Sequence, residues 1–501
     1  ENLARITVEE VNKQKDKIDI DKNYFALVTT QTSDKLPTDA QVKSYVDKSL
    51  QAEVVAYQEK ELPKQLLSQQ PKAGKIVKET KDATINSTTW TLSNGAKVTY
   101  KKTDFKNDEI IFSGYRFGGA STYTGADYQS ADYCNNVVDE MGYGAFSSTD
   151  LQKFLQGKTL GVNTWVDMYG DYVSGSSTVK DFETALQLLY LKSTSTRKDA
   201  EAFESFKNRQ IQMIAQMKSS PESYYGDTLS SYMYNHNPRM KEIPTPADYN
   251  AINMNNAVAF YNQRFNTANG MNYFFVGSIP EASFKKLIEL YIGGLGGNAI
   301  ESKTKDLGIE PLKGIHDFTV YAGTEPKSMV NEIAYFYTPY NQNDELALSL
   351  LTEVVNNRIT DIIREKMSAI YGGGAGLRLS KFPKEKFTLQ SYLPCGPENA
   401  SKVKVAFWDI LNEVKKPGNV LPEELSKAAE TSIQKYKVGV KTNNFWLSSL
   451  SKYTQYGLPT ANILNLESRI RAIQPATLTA VANKYIVEQN VIHALLMPEK
   501  K

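Results

Sequence analysis

Apolar positions recur along this chain with two periods, and their alternation predicts the order of its elements. Three segments share one pattern. Ile6 opens a helical stretch through Val11 that reaches Asn23 and then the apolar run 24–28. Ile252 opens another through Val258, reaching Asn269 and the run 273–276. Ile473 opens a third through Leu478 and Val481, reaching Asn490 and the run 491–496. The Ile-to-Asn separation is 17 residues each time (6 to 23, 252 to 269, 473 to 490). Each copy reads as a capped helix, a short turn and a buried strand.

Between these copies the periods switch in a regular order. Trp90-Thr91-Leu92, Ser93-Asn94-Gly95 and Lys97-Val98-Thr99-Tyr100 predict a hairpin, because Asn-Gly suits the tight turn between twisted strands. Residues 110–117 predict a further strand ending at Gly118-Gly119, with 115–117 as a candidate edge for a docked peptide. Phe182, Ala185, Leu186, Leu189 and Tyr190 fall at i, i+3, i+4, i+7 and i+8, a core-facing helical stripe. Residues 200–218 predict a second helix.

The last third repeats the order. Residues 331–337 predict a strand, and Leu351, Val355, Ile359 and Ile362 mark a long helix ending near Ser368. A strand at 387–393 follows, then helices at 403–414 (from a cap near Asn399), 422–437 and 443–457. Strands, helices and a strand, twice over, predict an α+β fold with two tandem homologous domains. Their expected bounds are 89–305, closing through the Gly293-Gly294-Leu295-Gly296-Gly297 loop, and 306–501. Residues 61–88, rich in Lys, Gln and Glu, read as a linker. Residues 1–60 hold the first repeat copy with nothing before it to close, and read as the tail of a preceding domain. The start, Glu1-Asn2-Leu3-Ala4-Arg5, has neither initiator Met nor a signal-peptide pattern and reads as a cut.

Composition narrows the function classes. The 501 residues carry 58 Lys+Arg against 56 Asp+Glu, a net charge of +2, without the basic excess of a nucleic-acid binder. Hydrophobic residues at 41% are enough for packed cores, yet no run approaches the roughly 18 apolar residues of a membrane span. Cys134 and Cys395 lie far apart and outside any Cys-x-x-Cys pair, so buried thiols are expected. His236, His316 and His493 include no helical i,i+4 pair for a metal. The Gly372-Gly373-Gly374 run follows a helix and lacks the Gly-Lys-Ser/Thr ending, which argues against a phosphate loop.

Residues 90–98 resemble the opening strand pair of the pitrilysin/insulinase family of inverted-motif zinc peptidases. Residues 257–269 with 274–277 are similar to the closing helix and strand of its first domain type. Ile363-Arg364-Glu365-Lys366 with Tyr371-Gly372 is similar to the Arg-Glu-Lys…Tyr-Gly element of its second. The resemblance implies insulinase-type domains, four in a two-half peptidase whose halves enclose a chamber. Zinc there sits on His-x-x-Glu-His plus a downstream Glu. In this chain the helix expected between Gly118-Gly119 and Gly142-Tyr143-Gly144 reads Tyr133-Cys134-Asn135-Asn136-Val137-Val138-Asp139-Glu140, without histidine.

What the resemblance implies is therefore a C-terminal, metal-free half with no catalytic residue of its own. The zinc and the partner N-terminal half lie elsewhere, and this chain alone is expected to be inactive. Arg364 and Tyr371 would reach the substrate backbone and the oxyanion, with Gly372, Gly373 and Gly374 as a peptide-contact loop. Peptide is the expected substrate, and family habit suggests a periplasmic or exported setting. The alternative reading is a non-catalytic assembly or peptide-binding subunit of a processing-peptidase-like complex. A third is a self-contained enzyme using Asp139 and Glu140 as an acid/base pair.

Overall fold

The computed structural model describes residues 5–17, 25–30, 36–55 and 61–500. The chain divides into two units, residues 1–61 and 62–501. In the first, Thr7 and Glu10 form a reciprocal capping box that starts the helix Val8–Gln14, and Thr38 and Gln41 do the same for Asp39–Gln51. Neither helix has a buried residue. The strand expected at 24–28 is only partly testable: Asn23 and Tyr24 lie outside the described residues, and 25–30 carry no strand.

The second unit holds two sheets. The first contains β1 (Ile76–Asp82), β2 (Ser87–Leu92), β3 (Lys97–Lys102), β4 (Ile110–Phe117), β5 (Leu160–Val166), β6 (Gly170–Ser177) and β7 (Asn272–Gly277), in the order β1-β2-β3-β7-β4-β6-β5. The second contains β8 (Ile315–Tyr321), β9 (Ser328–Tyr337), β10 (Gly374–Ser380), β11 (Lys386–Cys395) and β12 (Val491–Met497), in the order β8-β12-β9-β11-β10. Chain path and neighbour order are the same once β1 and β2 are set aside. In both sheets the closing strand of the 17-residue repeat lies inside, parallel to the first strand and antiparallel to the second.

The Asn-Gly hairpin forms as expected. Thr88 pairs with Tyr100 and Trp90 with Val98, and Gly95 takes φ +86°, which a side chain would resist. Two expectations change. The stretch read as linker supplies β1 and the first residues of β2, because Lys78, Glu79 and Lys81 point to water on an edge strand while backbone pairing holds it. The supposed edge at 115–117 lies on an interior strand: β4 pairs with β6 along its whole length and with β7 as far as Tyr115.

Each sheet packs helices on one face around its own core. Phe182, Ala185, Leu186 and Leu189 of the helix Phe182–Thr194 enter the first, and Leu351 and Val355 of Gln342–Arg358 the second. The other faces are covered by exchange. Tyr225 and Leu229 of the helix Pro221–Met233, from the first half, pack on Val320, Ile492 and Leu496 of the second sheet. Trp446 and Leu450 of the helix Asn443–Tyr456, from the second half, pack on Ile111, Tyr115, Phe274 and Val276 of the first. Lys101 Nζ sits 4.2 Å from the Trp446 ring centre and donates to the Ile85 carbonyl, adding a cation–π contact to this apolar seam.

Candidate substrate-contact site

The segment that carries Arg364 and Tyr371 begins as a helix and ends as a fixed turn. Gln342–Arg358 is α-helical, and Ile359–Lys366 continues it with wider i→i+5 turns, a local irregularity often found at functional sites. The helix stops at Met367, whose N–H donates to the Ile362 carbonyl at 2.9 Å, and Ser368 takes φ +50°. The apolar side chain of Ile370 turns inward at 5% exposure, where the residue bridges Cys395.

Beyond Tyr371 a second anchor holds. Gly373 has φ +112°, and a Cβ there would lie 2.1 Å from the Tyr392 carbonyl oxygen. Asn356 then clasps the start of β10: its Oδ1 accepts from Ala375 N–H at 2.8 Å and its Nδ2 donates to the Ala375 carbonyl at 3.0 Å. Pinned on both sides, Tyr371 projects outward at 94% exposure. Arg364 is half exposed and pairs with its neighbour Glu365 at 2.8 Å. Both residues are exposed, but they are not stacked on one helix face, because the helix does not reach 371. Gly372 meets nothing within 4 Å of a built Cβ and leaves the turn open on that side.

A phenol and a guanidinium presented this way can donate hydrogen bonds to a peptide carbonyl or a developing oxyanion. The first half shows the opposite treatment of a tyrosine in the like position. Tyr143 also follows a helix, Cys134–Met141, and precedes a glycine, yet it is 1% exposed. Its hydroxyl donates to Asp139 at 2.7 Å, its ring lies under Lys192, and burial pushes its pKa well up. Asp139 also accepts from Lys192 Nζ at 2.7 Å, while Glu140 pairs with Arg209 at 2.7 Å. The two carboxylates proposed as an acid/base pair are thus engaged with different cations and do not work on one point.

The same helix fails as a zinc site on its own donors. Cys134 is fully buried, and burial drives its thiol far above the ordinary range, so no thiolate is available. Cys395 is likewise a buried free thiol. Asn135 uses its amide on the edge of β5, accepting from Val166 N–H and donating to its carbonyl, both at 2.9 Å. Among the described residues no group of three or more His, Cys, Asp or Glu side chains could hold a metal. Sequence reasoning missed Asn135 and Asn356, since a helical asparagine carries no periodic signal for an edge strand brought to it by folding.

Residues 251–432 match the peptidase M16 inactive domain. The chain is 20% identical over 473 residues to a zinc protease PQQL-like protein of Arabidopsis thaliana, covering 89% of this chain and 47% of that one. It is 24% identical over 349 residues to the probable zinc protease PqqL of Haemophilus influenzae, covering 67% and 36%. Its fold matches the crystal structure of the periplasmic protease PqqL from Escherichia coli with a TM-score of 0.76 at 18% identity, over 99% of this chain and 55% of that one. The chain spans about half the length, or less, of these relatives.

Proposed function

We propose that this chain, a member of the M16 (pitrilysin/insulinase) peptidase family carrying its inactive domain, is the metal-free half of a zinc peptidase. In this reading it encloses and orients peptide substrate, and hydrolysis belongs to a zinc-bearing N-terminal half. The domains, 89–305 and 306–501, would wall one side of the chamber, and residues 1–60 would complete a domain of the other half. The observation that carries the reading is Tyr371, pinned by Ile370 and Gly373 and held out in water. An exposed aromatic of that kind gains nothing for the fold, so its fixed presentation points to a ligand. Arg364 would grip the substrate backbone, Tyr371 would donate to the oxyanion, and Gly372, Gly373 and Gly374 would admit a peptide close to the chain. The Escherichia coli relative is described as periplasmic, and an exported setting is part of the proposal.

The test is made in the full two-half protein. Tyr371→Phe and Arg364→Lys should each lower kcat at least about tenfold, the scale of one lost transition-state hydrogen bond. The melting temperature should stay unchanged, because both side chains are exposed. Unaltered turnover in both variants removes them from the site. Zinc-dependent cleavage of a quenched peptide by the 501-residue chain alone would refute the division of labour.

A further inference from the structure

The face of the Ile359–Lys366 turn that Arg364 does not occupy borders a second feature. An open groove of about 770 Å³ runs between this turn and the helix Ala400–Glu413. Its floor is apolar, formed by Ile362, Met367, Val405, Ala406 and Ile410, with Val405 60% exposed. The two walls run in opposite directions. Arg358 donates to the Asn419 carbonyl just beyond one end of Ala400–Glu413, and Ile370 bridges Cys395 just before the other. Lys366 and Lys402 therefore share one end of the groove, while Asp361 and Asp409 lie toward the other.

These four charges make no ion pair among the described residues. Their neighbours do: Arg358 grips Glu424 at 2.7 Å, and Glu413 holds Lys416 at 2.5 Å. Unpaired cations at one end of an apolar trough and unpaired carboxylates toward the other match the ends of a helix macrodipole. From residue 401 to 413 the wall is about 18 Å long at 1.5 Å per residue, room for roughly three turns.

We propose that this groove docks an amphipathic α-helix of a partner polypeptide, its N-terminus at Asp361 and Asp409 and its C-terminus at Lys366 and Lys402. The apolar face of that helix, at i, i+3, i+4 and i+7, covers Ile362, Val405 and Ile410. The site is separate from Arg364 and Tyr371, and does not rest on the peptidase reading.

The probe is a fluorescein-labelled 14-residue peptide, stapled on its solvent face, with leucines at i, i+3, i+4 and i+7. It carries Lys in the first turn and Glu in the last. A charge-reversed twin has the same composition. Fluorescence anisotropy with the intact chain should show the first peptide binding at least tenfold more tightly, with the difference shrinking as salt rises. The double variant Lys402→Glu/Asp409→Lys leaves one charge of each sign at each end of the groove and should remove the preference, and Val405→Asp should abolish binding of both peptides. These are surface positions, so circular dichroism should be unchanged. Equal binding of the twins by the wild-type chain, no binding of either, or a preference untouched by the double variant overturns the proposal. So does occupation by fatty-acid micelles or by a second copy of the chain in place of the peptide.

Discussion

Side chains of one type meet opposite fates in this molecule, and their surroundings decide which. Tyr143 and Tyr371 both follow a helix and precede a glycine, yet one is enclosed with Asp139 and Lys192 and the other stands in water. The motif Arg364…Tyr371 was legible from the residues, but its presentation depends on Asn356 and the Tyr392 carbonyl, which sequence does not bring together. Asp248 shows how local bonds set a charge. Burial alone would raise its carboxyl, but donation from Thr245 Oγ1 at 2.6 Å, Thr245 N–H at 2.7 Å and Lys241 Nζ at 3.0 Å outweighs it and holds the pKa at about 2. A depressed folded-state pKa stabilises above the ordinary carboxylate value, and that stability is lost as pH falls through the folded value. Asp248→Asn should therefore cost about 2 kcal/mol near neutrality, with the gap to the wild-type chain closing between pH 4 and 2. Urea denaturation across that range measures it, and a gap independent of pH would contradict the assignment.

Elements with strong periods formed where the pattern put them, and weak ones did not. The stripe beginning at Phe182 and the hairpin at Asn94-Gly95 carry their own instructions, because amphipathic spacing and turn chemistry are local. β1 was invisible, since a polar edge strand has no alternation to read. The turn that ends at Tyr371 is also a tertiary product. Gly373 needs φ +112° and closeness to Tyr392, whereas Gly372 has open space. Gly373→Ala should destabilise the chain by at least about 1 kcal/mol and free the segment around Tyr371, while Gly372→Ala stays within about 0.5 kcal/mol. Melting curves and amide exchange at 369–375 check both, and equal effects would show that the turn is not pinned as described.

At the scale of the whole molecule the two sheets are bound by exchanged helices. Tyr225 and Leu229 leave the first half to cover the second sheet, and Trp446 and Leu450 return to cover the first. Each half thus protects an apolar surface of the other, which stabilises the pair without a covalent link. A proteolytic nick between 299 and 309 should leave the halves eluting together on gel filtration. Trp446→Ala, removing a ring that is 5% exposed, should cost roughly 3–5 kcal/mol and loosen the nicked pair. Separation of the nicked wild-type halves would show that the seam is weaker than its burial implies.

The residues by themselves determined the duplicated α+β order, the family resemblance and the lack of a histidine pair, because these are written in spacing, turn chemistry and residue type. Folding alone decided which strand lay at an edge, which tyrosine reached water and which cation each carboxylate faced. Those outcomes depend on contacts between positions hundreds of residues apart, where local pattern exerts no force and packing and hydrogen bonding select the partner.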